Sequence, residues 1–101
     1  MTPRAQPRAF GEVVAAARRR AAPETPLAAA QGAWGEAVGE RIARESRPVA
    51  ERDGRLTVEC RTAVWAQELD LLQTEILGRL AGPLEPHRIE ALRFRVAEAW
   101  D

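Results

Sequence analysis

Among the side chains able to carry chemistry, the arginines stand out. The chain has 101 residues and its fifteen Lys or Arg residues are all arginine. Each is a planar, permanently charged fork suited to phosphate or carboxylate. The densest run is Arg18-Arg19-Arg20, and Arg41, Arg44 and Arg47 recur at about one helical turn. Phosphate contact needs charge rather than sequence-specific geometry, so both groups are candidate DNA contacts. Each also has a plainer reading. Cations at a helix end suit the helix dipole. Arg41 and Arg44 are interleaved with Glu40 and Glu45, which favours surface ion pairs of about 0–1 kcal/mol.

Catalytic sets are absent from the pattern. His87 is the single histidine, follows Pro86 and has no Cys or Ser that the sequence places beside it. A histidine-assisted nucleophile is therefore unsupported. No glycine-rich loop with a lysine exists to cradle phosphates, which excludes ATP hydrolysis of the P-loop kind. One cysteine, Cys60, permits neither an internal disulfide nor a cysteine-rich zinc site. It lies in an apolar alternating run and reads as a small buried side chain. The expectation is a protein without enzymatic activity, cofactor, metal or small-molecule substrate.

Trp34 and Trp65 each fall on an apolar stripe, where large aromatics anchor a core. Trp65 has a second reading as a partly exposed anchor for a protein partner. Gln67, Glu68 and Asp70 lie near it, off the apolar face. They read either as a solvated acidic helix start or as part of the same partner surface. Hence Trp65, Gln67, Glu68 and Asp70 are the candidate partner contacts.

The elements that must position these groups follow from periodicity. Residues 1–9 hold two prolines and read as a flexible segment, with a single domain over 10–101. Phe10, Val13, Val14 and Ala17 predict a first helix ending at the arginine run. Thr25-Pro26 predicts the cap and first turn of a second, with Leu27, Ala30, Trp34, Val38 and Ile42 as its stripe. This helix is expected to fade near Ser46, and Gly39 to permit close packing on a sheet. Pro48 to Arg52, the Asp53-Gly54 turn and the alternating Arg55–Arg61 predict a hairpin with Leu56, Val58 and Cys60 facing inward. Thr62 caps a third helix with the stripe Trp65, Leu69, Leu72, Ile76 and Leu80, ended by Gly82-Pro83. A last strand spans roughly Ile89 to Val96. The expected fold is α+β, order α-α-β-β-α-β, with helices on one face of a small three-stranded sheet. Arg55, Arg61, Arg93 and Arg95 are expected on its other face.

Charge is unevenly spread although the formal net charge is 0. Residues 1–22 carry five arginines and one acid, whereas residues 62–101 carry four arginines and seven acids. No apolar stretch approaches the roughly 20 residues of a membrane span, and the N-terminus lacks a signal-like apolar core. These features predict a cytoplasmic protein with no membrane contact.

Trp34-x-x-x-Val38-Gly39, Asp53-Gly54-x-Leu56-x-Val58, Trp65-Ala66-Gln67-Glu68-Leu69 and Ile89-x-x-Leu92-x-Phe94-x-Val96 occur in that order. This spaced pattern, over roughly residues 27–96, resembles the DciA family of bacterial proteins. The resemblance implies a fold related to the KH domain and association with the hexameric replicative DNA helicase. It also implies help in placing that helicase on DNA, a nucleoid-associated role. DNA binding is expected to be weak and indifferent to sequence. KH domains grip nucleic acid through a Gly-x-x-Gly loop between two helices. Gly32-Ala33-Trp34-Gly35 has the letters but falls inside a predicted helix, and Gly78 to Gly82 has the wrong spacing. An RNA-binding KH-like module and a protein-only adaptor are the alternatives.

Overall fold

A computed structural model describes residues 24–100. The predicted first helix, with Arg18, Arg19 and Arg20, and the segment 1–9 lie outside the described residues. The order is α1 (Pro26–Val38), α2 (Glu40–Ala43), β1 (Ser46–Arg52), β2 (Arg55–Cys60), α3 (Ala63–Leu71), α4 (Gln73–Leu84) and β3 (Ala91–Val96). The sheet order is β1-β2-β3. β1 and β2 are antiparallel and β2 and β3 parallel, the crossover being made by α3 and α4. The predicted α+β plan, with helices on one face of three strands, is the one observed.

Local chemistry accounts for the boundaries. Thr25 caps α1, its Oγ1 accepting the Ala28 N–H at 3.0 Å, and Pro26 occupies the first turn. Thr62 does the same for α3, accepting the Trp65 N–H at 3.2 Å. Asp53 and Gly54 both have positive φ, at 51° and 83°, as a tight hairpin turn with right-handed twist requires. The Gly54 N–H is held by the Glu51 carboxylate at 2.8 Å. Val49 sits in a bulge between Pro48 and Ala50. Pro48 is on an edge strand, where its missing N–H does least harm.

The buried core joins Ala30, Trp34 and Ala37 of α1, Leu56, Val58 and Cys60 of β2, and Leu92 of β3. Leu69 of α3 and Ile76, Leu80 and Leu84 of α4 complete it. The one buried polar side chain among the described residues is Ser46. Its Oγ accepts the Trp34 indole N–H at 3.0 Å and donates to the Ile42 carbonyl at 2.8 Å. Trp34 is thus a core residue whose polar atom is satisfied, as buried indoles require.

Three boundaries differ from expectation. The second predicted helix breaks at Gly39 instead of running towards Ser46. Gly39 has φ 93° and ψ 155°, a region essentially restricted to glycine. A Cβ there would meet nothing within 4 Å, so backbone conformation and not close packing explains this glycine. The third predicted helix is two helices, jointed at Leu72. Finally, Pro83 does not end α4, which closes at Leu84. Leu84 is buried, and its packing holds this last turn.

Candidate partner and nucleic-acid surfaces

Two surfaces, one on the helical layer and one on the sheet, collect the residues of interest. The first is α3. Leu69 points into the core, so residues two positions on, about 200° around the helix, point away from it. Leu71 is accordingly 78% exposed, and Val64, two turns back on the same side, is 69% exposed. Glu68 lies beside them and is exposed. Trp65 is partly buried on the flank of this stripe, with the Arg41 guanidinium 5.9 Å from its ring centre. An exposed apolar pair with an aromatic and an acid beside it has the make-up of a helix that docks into a partner's groove.

The other flank of α3 differs. Ala63, Ala66, Gln67 and Asp70 recur at helical spacing and line an open groove of about 620 Å³ against Leu92 to Val96 of β3. Asp70 also accepts from the Gln73 side chain at 3.2 Å. The structure therefore places Trp65 and Glu68 on one flank of α3, and Gln67 and Asp70 on the other.

The second surface is the sheet face turned away from the helices. Leu56, Val58, Cys60 and Leu92 face inward, so the alternating residues face out. Their rows follow from the register: Arg47–Glu59–Arg95, Ala50–Thr57–Arg93 and Arg52–Arg55–Ala91. Five arginines and one glutamate thus share this face. Glu59 bridges Arg47 at 3.6 Å and Arg95 at 3.0 Å. Arg47 also stacks on Trp100, 4.3 Å from its ring centre, and contacts the Ala99 carbonyl. Among the described residues, Arg52, Arg55 and Arg93 have no acid within ion-pair distance. Arg61 departs from expectation: it follows the end of β2 and pairs with Glu45 at 3.8 Å.

A catalytic or metal centre is not assembled among the described residues. No group of three His, Cys, Asp or Glu side chains is placed to hold a metal there. Cys60 is fully buried, and burial pushes its thiol up from 9.0 to about 11. No described helix is long and apolar enough to cross a membrane.

The family model described as "Dna[CI] antecedent, DciA" matches residues 8–94. The chain belongs to the DciA family. It is similar to a UPF0232 protein of Rhodococcus jostii, 32% identical over 98 residues, which covers 93% of this chain and 52% of the relative. A UPF0232 protein of Mycobacterium tuberculosis is 31% identical over 71 residues, covering 68% of this chain and 38% of that protein. The chain therefore spans about half the length of the first relative and less of the second.

Within this DciA-family chain the three described arginines predicted to meet DNA do not form one cluster. Arg41 sits by Trp65, and Arg44 pairs with Glu40 at 3.3 Å on exposed helix surface. Arg47 alone lies on the open sheet face. Arg52 joins that face without being singled out by the sequence pattern, because it stands just before the turn. Its direct pairing with Arg55 across the turn is the available signal. Val64 and Leu71 are not singled out either, since apolar residues outside a stripe carry no mark of their own. Neither glycine pair forms a loop: Gly32 and Gly35 lie within α1, and Gly78 and Gly82 within α4. The junction between α3 and α4 is Leu71-Leu72-Gln73, with no glycine.

Proposed function

We propose that this chain is a non-enzymatic DNA-replication accessory domain. It binds the hexameric replicative DNA helicase and DNA, and assists placement of the helicase on the strand. The observation that carries this reading is the DciA family match over residues 8–94. The exposed stripe of α3, Val64, Glu68 and Leu71 with Trp65 at its edge, supports helicase docking there. Arginine forks supply loose, sequence-indifferent phosphate contact, with Arg18, Arg19 and Arg20 contributing from the N-terminal side. The domain acts by binding one ring conformation better than another. A partner shifts an equilibrium only by its differential affinity for the two states.

The test uses the purified chain, the replicative helicase of the same organism, and fluorescent single strands of DNA and matched RNA. Helicase is expected to co-purify with the chain. DNA binding is expected to weaken steeply as salt rises from about 50 to 200 mM. Replacing Arg18, Arg19 and Arg20 with Ala lowers DNA affinity while the melting transition stays in place. Loss of helicase retention, or a marked preference for RNA, defeats the proposal.

A further inference from the structure

The open face of the sheet presents more unmatched positive charge than its sequence neighbours suggest. Three strands bring Arg52, Arg55 and Arg93 together from positions up to 41 apart in the chain. Arg52 and Arg55 are direct cross-strand partners, and Arg93 lies opposite Thr57, diagonal to Arg55. Cross-strand and diagonal neighbours stand roughly 5–8 Å apart. Like charges at that spacing repel, and the usual remedy is an interleaved acid. Glu59 provides that remedy for Arg47 and Arg95. The three near the turn have no ion pair with a described acid: Asp70 shares a groove with Arg55 and Arg93 without pairing with them, and Glu51 faces the other way, its carboxylate holding the Gly54 N–H.

We infer that this face, anchored by Arg52, Arg55 and Arg93, is the surface along which the domain holds a single DNA strand by its phosphates. The inference rests on the DNA-binding part of the proposed function and assigns it to a specific face. Charge complementarity selects the occupant. Three planar forks without an ion pair to a described acid match a run of singly charged phosphates, and Arg47 and Arg95 extend the track along the strands. Binding here is therefore electrostatic and independent of sequence. The face borders the groove between α3 and β3, whose lining brings Arg55, Arg93 and Arg95 together with Gln67 and Asp70.

The experiment compares R55Q/R93Q with the charge-matched R61Q/R79Q. Both variants remove two arginines, but Arg61 and Arg79 already pair with Glu45 and Glu75. Affinity for a fluorescent oligothymidine is measured across a salt series, with circular dichroism confirming the fold of each variant. In R55Q/R93Q the log–log salt slope is expected to become shallower by about 1.4, since each single-strand phosphate contact contributes about 0.7. R61Q/R79Q is expected to leave the slope near that of the parent. Equal slopes in R55Q/R93Q and the parent, with DNA still bound, overturn the assignment of the face and leave the DNA-binding reading standing. A parent chain that retains no strand at about 50 mM salt overturns both.

Discussion

Single residues in this domain divide into those that complete the core and those that the core leaves outside. Ser46 belongs to the first kind because it accepts from the Trp34 indole at 3.0 Å inside the core. Ser46→Ala orphans that N–H, whereas the Ile42 carbonyl keeps the Glu45 N–H at 2.9 Å. One unsatisfied buried donor costs about 1–3 kcal/mol, which urea unfolding will register as a lower midpoint with an unchanged slope. Gly39→Ala acts through the backbone. A Cβ has room, but φ 93° with ψ 155° is costly for any L side chain, and a loss of about 1–3 kcal/mol is expected. Cys60 gives a pH signature. Burial raises its folded pKa from 9.0 to about 11. The unfolded chain therefore loses this proton first, and stability falls as pH rises from about 9 to 11. The decline is on the order of 2 kcal/mol. Chemical unfolding of Cys60→Ala across that range should lack the step; a decline identical to that of the parent removes Cys60 as its source.

At the scale of elements, sequence period foretells what a single residue type can dictate and misses what tertiary packing decides. The hairpin turn and inward face are legible, because Asp53-Gly54 specifies the turn and Leu56, Val58 and Cys60 specify the face; the start of β1 at Ser46 and its bulge at Val49 are not. The two threonine caps are equally plain. The joint at Leu72 is not: the helical spacing of Trp65, Leu69, Leu72 and Ile76 continues without a glycine or proline to mark a break. What separates α3 from α4 is that they pack on different neighbours, α3 on β3 and α4 on α1. At the joint the Gln73 side chain turns to accept the Leu92 N–H of β3 at 3.0 Å. Leu72 takes no part in the buried core as a result and is 41% exposed. Leu72→Ala should then cost under about 1 kcal/mol, whereas Leu80→Ala should cost about 2–5 kcal/mol. Similar losses at the two positions would mean that α3 and α4 form the single straight helix read from the sequence. Candidate surfaces are only partly legible: strand alternation puts Arg55, Arg93 and Arg95 on the outer sheet face, whereas Arg47 and Arg52 join them only through the register.

The described residues form a two-layer block, and its two outer surfaces separate the proposed tasks. The apolar stripe of α3 looks out from the helical side, and the arginine face looks out from the sheet side. A strand held on the sheet need not cross the helix that meets the helicase. Substitutions on one layer should therefore leave the other layer's partner untouched. Val64 and Leu71 are already solvent-exposed, so V64E/L71E removes apolar contact area without opening the core. Helicase retention by this variant is expected to fall by about tenfold or more, an interface loss of about 1.4 kcal/mol or more. Its single-strand affinity should fall no more than the added negative charge explains, with the same salt slope as the parent. R55Q/R93Q should show the converse: helicase retained and the DNA slope reduced. If V64E/L71E keeps the helicase while R55Q/R93Q loses it, the sheet is the protein-docking side, because charge on an exposed strand can reach only what lies against that face.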